Sequence, residues 1–97
     1  MVSKVYISGP MTGYPEYNRP AFAEAAEALR ARGWEAANPG RDIMVKGEAN
    51  WETYMRYAIT LMMECDGILM LDGWQLSRGA TIEYQLAMSL GFTFVRL

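Results

Sequence analysis

Apolar and polar positions change period several times along the chain, and each change marks an element. Residues 4–9, KVYISG, are a short run rich in β-branched and aromatic side chains that stops at Gly9-Pro10, the pattern of a buried strand entering a loop. From Pro20 the period lengthens. In AFAEAAEALRARG, Phe22, Ala26 and Leu29 fall on one face, Asn18 is placed to cap, Pro20 sits in the first turn and Gly33 lies just past the end, which predicts a helix. Residues 34–38, WEAAN, read as a short second strand closed by Asn38-Pro39-Gly40, and residues 40–50 lack periodicity and read as a loop. Asn50 is then the cap of a helix over 51–64, with Trp51, Met55, Ala58, Ile59 and Met62 spaced three and four apart as its buried stripe. Residues 67–71, GILML, form an apolar run of strand length, a helix over 79–90 ends at Gly91, and residues 92–97, FTFVRL, make the last strand.

Strands alternating with helices imply a parallel sheet covered on both faces through right-handed crossovers. The expected fold class is α/β: a three-layer α/β/α arrangement with a four- to five-stranded parallel sheet, flavodoxin- or Rossmann-like. Ligands of open sheets of this kind sit beyond the carboxyl ends of the strands. The loops 9–18, 38–50 and 72–79 should therefore converge on a site.

Composition narrows the chemistry. A chain of 97 residues, 52% apolar and 21% charged, is read as a single domain over 1–97 with an ordinary globular balance. The net charge is −2 and the nine Lys and Arg are scattered, so no polymeric nucleic acid is expected as a partner. Histidine is absent, which removes histidine general bases, Ser-His-Asp triads and most zinc sites. No metal or cofactor is expected, and the single Cys65 reads as a small core hydrophobe. No charged leader precedes an apolar run, and no segment approaches the roughly 20 apolar residues needed to cross a bilayer, so the expectation is a soluble cytoplasmic protein without a membrane partner.

What chemistry remains rests on hydroxyls, carboxylates and backbone. In SGPMTG, residues 8–13, Gly9 and Gly13 let the backbone approach a ligand while Ser8 and Thr12 offer hydroxyls, although a plain strand-to-helix connection explains the stretch as well. It is neither a Walker A loop nor GxGxxG. Ser77 is placed to cap the third long helix, whose free N–H groups, together with Arg78, suit an anion; a cap beside a solvated arginine is the alternative. Glu83 lies six residues after Ser77 on the side of Leu86, Ala87 and Leu90. Burying a lone carboxylate costs several kcal/mol, so such a group is paired, protonated or faces a cavity. A cavity-facing functional acid is favoured over a surface residue at the edge of the stripe. Asp66, at the amino end of the third strand, reads as structural, while Asp72 at its carboxyl end can accept hydrogen bonds from a sugar. Tyr6, Trp74 and Tyr84 offer aromatic surface for stacking on a base or for packing in the core.

The stretches VYISGPMTG, NRPAF, Asn38-Pro39, YMR at 54–56, CDGILML and GWQLSRGATIEYQLAMSLG together resemble a small, mostly phage-encoded family of uncharacterised domains. That family is similar to the nucleoside 2-deoxyribosyltransferases and the deoxyribonucleoside 5'-monophosphate N-glycosidases. The resemblance spans essentially the whole chain. It implies a protein that cleaves or exchanges the N-glycosidic bond of a 2'-deoxynucleoside or its 5'-monophosphate, with a small nucleoside or nucleotide as its partner. By its place in SRGATIE, Glu83 matches the nucleophile of those enzymes, Tyr6 matches a tyrosine beside it, and Ser77 has the spacing of a serine that holds the 5'-phosphate. Two positions depart from the pattern. Ala58 stands where many relatives carry an aspartate that orients sugar and nucleophile. Thr12 stands where the monophosphate hydrolases carry a phosphate-binding arginine, leaving that work to backbone amides, Ser77, Arg78 or Arg19. A carboxylate nucleophile suits an oxocarbenium-like transition state and needs neither histidine nor metal. No second carboxylate is obviously placed to help the leaving base. The alternative reading, for which Ala58 speaks, is a non-catalytic nucleotide-binding module. Since the related enzymes complete their sites across a dimer, the resemblance also implies a homodimer or higher homo-oligomer, with Met and Trp side chains at its interface.

Overall fold

Strand β1, Lys4–Ser8, divides the molecule, because its side chains alternate between two cores. The computed structural model describes residues 2–43 and 50–97. Val5 and Ile7 face helix α1 (Arg19–Ala31) and bury against Phe22, Ala25, Ala26 and Leu29. Tyr6 faces the other way, into a core with Met62 of α3 (Trp51–Met62), Ala87 of α4 (Arg78–Ser89) and Cys65. The thiol of Cys65 is buried as expected, and that burial pushes its pKa up to about 11.

Among the described residues the sheet has four strands, all parallel, in the order β2-β1-β3-β4, where β2 is Glu35–Ala37, β3 is Gly67–Met70 and β4 is Thr93–Phe94. The chain turns left from β1 to β2 and right from β3 to β4, so the topological switch lies between β1 and β3. The three-layer α/β/α expectation holds, and among the described residues no helix is long and apolar enough to cross a membrane.

Three local expectations change. Asn18 does not cap α1: it adopts φ 61°, and its amide donates instead to the Pro10 carbonyl at 2.9 Å, closing the β1–α1 loop on itself. The preceding Glu16 and Tyr17 are also left-handed, at φ 55° and 53°, which turns the Asn18 side chain back from the helix end. The stretch expected to be loop from residue 40 begins inside a single helical turn, α2 (Pro39–Asp42), set by Asn38, whose side chain accepts from the Gly40 N–H at 2.9 Å. Residues 44–49 of that expected loop lie outside the described residues. Finally, β4 is two residues long rather than running over 92–97; as an edge strand it pairs with β3 alone.

Candidate active site

Period two along β1 puts Tyr6 and Ser8 on the same side of the sheet, both essentially without solvent contact. Opposite them runs α4, started by Ser77, whose Oγ accepts from the Ala80 N–H at 3.2 Å. Its buried positions, Ala80, Glu83 and Ala87, are three and four apart and face the sheet. The small side chains at 80 and 87 let the helix approach closely, which leaves the carboxylate between them only 5% exposed.

The Glu83 carboxylate is held from both sides. Tyr6 Oη donates to its Oε2 at 2.6 Å and Ser8 Oγ donates to its Oε1 at 2.7 Å. Among the described residues the ion pairs are Lys4 with Glu64 and Arg41 with Asp42, so no cation neutralises Glu83. Burial lifts the Glu83 carboxyl above the ordinary glutamate range, and the two hydroxyl hydrogen bonds pull it part of the way back. Burial also raises the Tyr6 phenol well above its usual range, with the Glu83 charge adding to it. Tyr6 therefore stays protonated and acts as a donor.

Glu83 opens onto a cleft of about 450 Å³ at the carboxyl end of β1. Of the residues singled out in the sequence, Tyr6, Ser8, Gly9, Thr12, Ser77 and Glu83 all line it. Gly9 permits the close approach of the two strand exits, since a Cβ there would lie 2.7 Å from Leu71 Cβ. Gly13, Asp72 and Arg78 are not among the lining residues. Asp72 borders a separate groove with Tyr14 and Glu24, on the α1 side of the sheet. The Arg78 guanidinium lies 3.9 Å over the Trp51 ring, a cation–π stack that ties the start of α4 to the start of α3. Trp74 stacks on Tyr84 at 4.4 Å and Tyr84 meets Phe94 at 5.3 Å, so these rings pack on one another rather than face the cleft.

Arg19, Trp51 and Tyr54 line the cleft as well. Tyr54 lies three residues after Trp51 and four before Ala58, so helical spacing was the signal that places it on the same face as the predicted stripe. Asn50 anchors this turn as expected, its side chain accepting from the Thr53 N–H at 2.8 Å. Arg19 is the first residue of α1, one position before Pro20.

Residues 3–96 match the family described as "Domain of unknown function (DUF4406)". No curated protein matches the sequence. Among solved structures the fold is similar to a 2-desoxiribosyltransferase from Leishmania mexicana, with a TM-score of 0.71 and 16% sequence identity over 96% of this chain. This chain spans 62% of that protein's length, and at that identity the likeness is one of fold. The chain belongs to the DUF4406 family and carries the parallel α/β fold seen in a 2-deoxyribosyltransferase.

Proposed function

We propose that the protein cleaves or exchanges the N-glycosidic bond of a 2'-deoxynucleoside or its 5'-monophosphate, with Glu83 as nucleophile. The observation that carries the reading is a carboxylate 5% exposed, unneutralised by any cation among the described residues, and aimed by two hydroxyls into a cleft of about 450 Å³. Such an arrangement costs stability, and sites that retain it generally use it. In the reaction a Glu83 oxygen bonds to C1' of the sugar as the C1'–N bond breaks, and the electron pair of that bond leaves with the base. The anion stabilises positive charge on the sugar before it becomes an ester. Water or a second base then attacks C1', the ester oxygen leaves with its electron pair, and the carboxylate is regenerated. Tyr6 and Ser8 hold the carboxylate in position throughout. Ser77, the amide groups at the start of α4 and Arg19 are suited to a 5'-phosphate at the rim. Chromatography for free base, after incubation with a panel of deoxynucleosides and their monophosphates, tests the reading. Release that persists in Glu83→Ala would remove Glu83 as nucleophile.

A second reading, a nucleotide-binding module without turnover, is favoured by Ala58, which is buried and brings no carboxylate to the face it shares with Tyr54. Under it, nucleotides raise the melting temperature and no base is released. Assembly belongs to the same proposal: Tyr57 in the middle of α3, Met63 just past its end, and Met88 and Leu90 at the end of α4 are large exposed apolar side chains suited to a homodimer or higher homo-oligomer. The tryptophans, all partly buried, offer less to an interface than Met63 and Met88 do. Sedimentation showing only monomer at micromolar concentration would count against it.

A further inference from the structure

We propose that Tyr54 is the residue that hydrogen-bonds the departing base, the task for which the sequence offers no second carboxylate. This rests on the N-glycosidic reading above. Tyr54 stands in the first turns of α3, fixed by the Asn50 cap and next to Met55, whose sulfur would lie 3.0 Å from a Cβ at Gly79. The start of α3 is thus in contact with the start of α4, and Tyr54 lines the same cleft as Glu83.

What distinguishes its phenol is its present partner. Tyr54 Oη donates to the thioether of Met11 at 3.0 Å, a weak acceptor. The two buried hydroxyls, on Tyr6 and Ser8, are already committed to Glu83, while Thr12 and Tyr17 at the rim are exposed. Tyr54 is therefore a partly buried donor in the cleft that gains by exchanging its acceptor for a ligand nitrogen or carbonyl oxygen. Burial raises its pKa and the Glu83 charge raises it further, with the positive charge of Arg19 opposing, so Tyr54 keeps its proton across the neutral range.

The electron balance defines its work. As the C1'–N bond breaks, negative charge collects on the ring nitrogens and carbonyl oxygens of the base, and a positioned O–H lowers the energy of that charge only as it develops. The proton stays on Tyr54, and the released base takes its own from water. A base that leaves without negative charge, such as one already methylated at N7 of guanine, gains little from the donor.

The test compares the whole protein with Tyr54→Phe on deoxyguanosine 5'-monophosphate and on its N7-methylated counterpart, following kcat and KM for base release and the melting temperature. The expected result is a fall of about 10²-fold in kcat on the parent nucleotide, little change in KM, near-normal turnover of the methylated nucleotide and an unchanged melting temperature. Unchanged kcat on the parent, or an equal loss on both nucleotides, overturns the role of Tyr54 while leaving that of Glu83 standing. Absence of release from both nucleotides by the unmutated protein overturns the N-glycosidic reading for these substrates, and the role of Tyr54 with it.

Discussion

The two faces of strand β1 use the same backbone for opposite purposes. On one face Val5 and Ile7 meet Phe22 and Leu29 in an apolar core. On the other, Tyr6 and Ser8 surround a buried carboxylate that has hydrogen-bond partners and no counter-charge among the described residues. The first face stabilises the fold. The second packs a core of its own around Tyr6, Met62, Ile68 and Ala87, and the carboxylate buried beside it costs stability. A substitution in the first core should therefore lower stability and carry activity down with it, whereas replacement of the Glu83 carboxylate should change activity while leaving stability equal or improved.

The largest expected effect is on the second face. Glu83→Gln keeps the shape and removes the nucleophile, and base release should fall by at least about 10⁴-fold, as when the attacking group of a covalent mechanism is lost. Next comes Phe22→Ala, which empties a fully buried ring site against β1. It should cost about 3–5 kcal/mol in urea unfolding, a large part of what a small domain possesses. Tyr6→Phe is intermediate. It removes one donor from the carboxylate, which should cost about 1.5–3 kcal/mol of interaction with the charged form. The acid limb of the pH–rate profile should then move to higher pH.

A smaller effect separates the faces by sign. The Glu83 pKa is raised in the folded protein, so the ionised form is the one that folding disfavours. Relative to Glu83→Gln, the unmutated protein should be fully stable below the ordinary glutamate range and lose stability as pH rises through the elevated Glu83 pKa. Thermal melts should accordingly find Glu83→Gln more stable by about 0.5–2 kcal/mol at pH 8, with the gap closing in acid. Asp66 behaves oppositely. At the amino end of β3 it accepts from the Lys4 N–H at 2.9 Å and from the Ser3 N–H at 3.1 Å, which lowers its pKa. Its contribution is present above the usual aspartate range and lost as pH falls through the lowered value, so Asp66→Asn should be slightly less stable at neutral pH and indistinguishable in strong acid.

Much of this contrast was legible because it follows from period. The strand-helix alternation, the caps Asn50 and Ser77, and the charge at Glu83 within an apolar helix face depend on local spacing, which the chain states directly. That Tyr6 and Ser8 share a face also follows from period two, but which buried group they meet depends on how α4 returns across the sheet 75 and 77 residues later. Asp72 shows the limit in the other direction. Its position at the carboxyl end of β3 suggested the site, yet it borders a groove on the α1 side of the sheet, and the carboxyl end of a strand does not by itself say on which side a residue falls. Asn18 was a plausible cap by residue type, and the run of left-handed residues that turns it away has no periodic signature. Tyr54 was hidden for a different reason: its ring fits the predicted stripe, and only the weak acceptor beside its hydroxyl distinguishes it from a core residue.

The most direct test of Glu83 as nucleophile is intact-protein mass spectrometry of a reaction with a deoxynucleoside 5'-monophosphate, quenched in acid during turnover and mapped by peptide digestion. An added deoxyribosyl phosphate should appear on the peptide carrying Glu83 and be absent from Glu83→Gln. Base release at the unmutated rate by Glu83→Gln, or an adduct on any other residue, would contradict it.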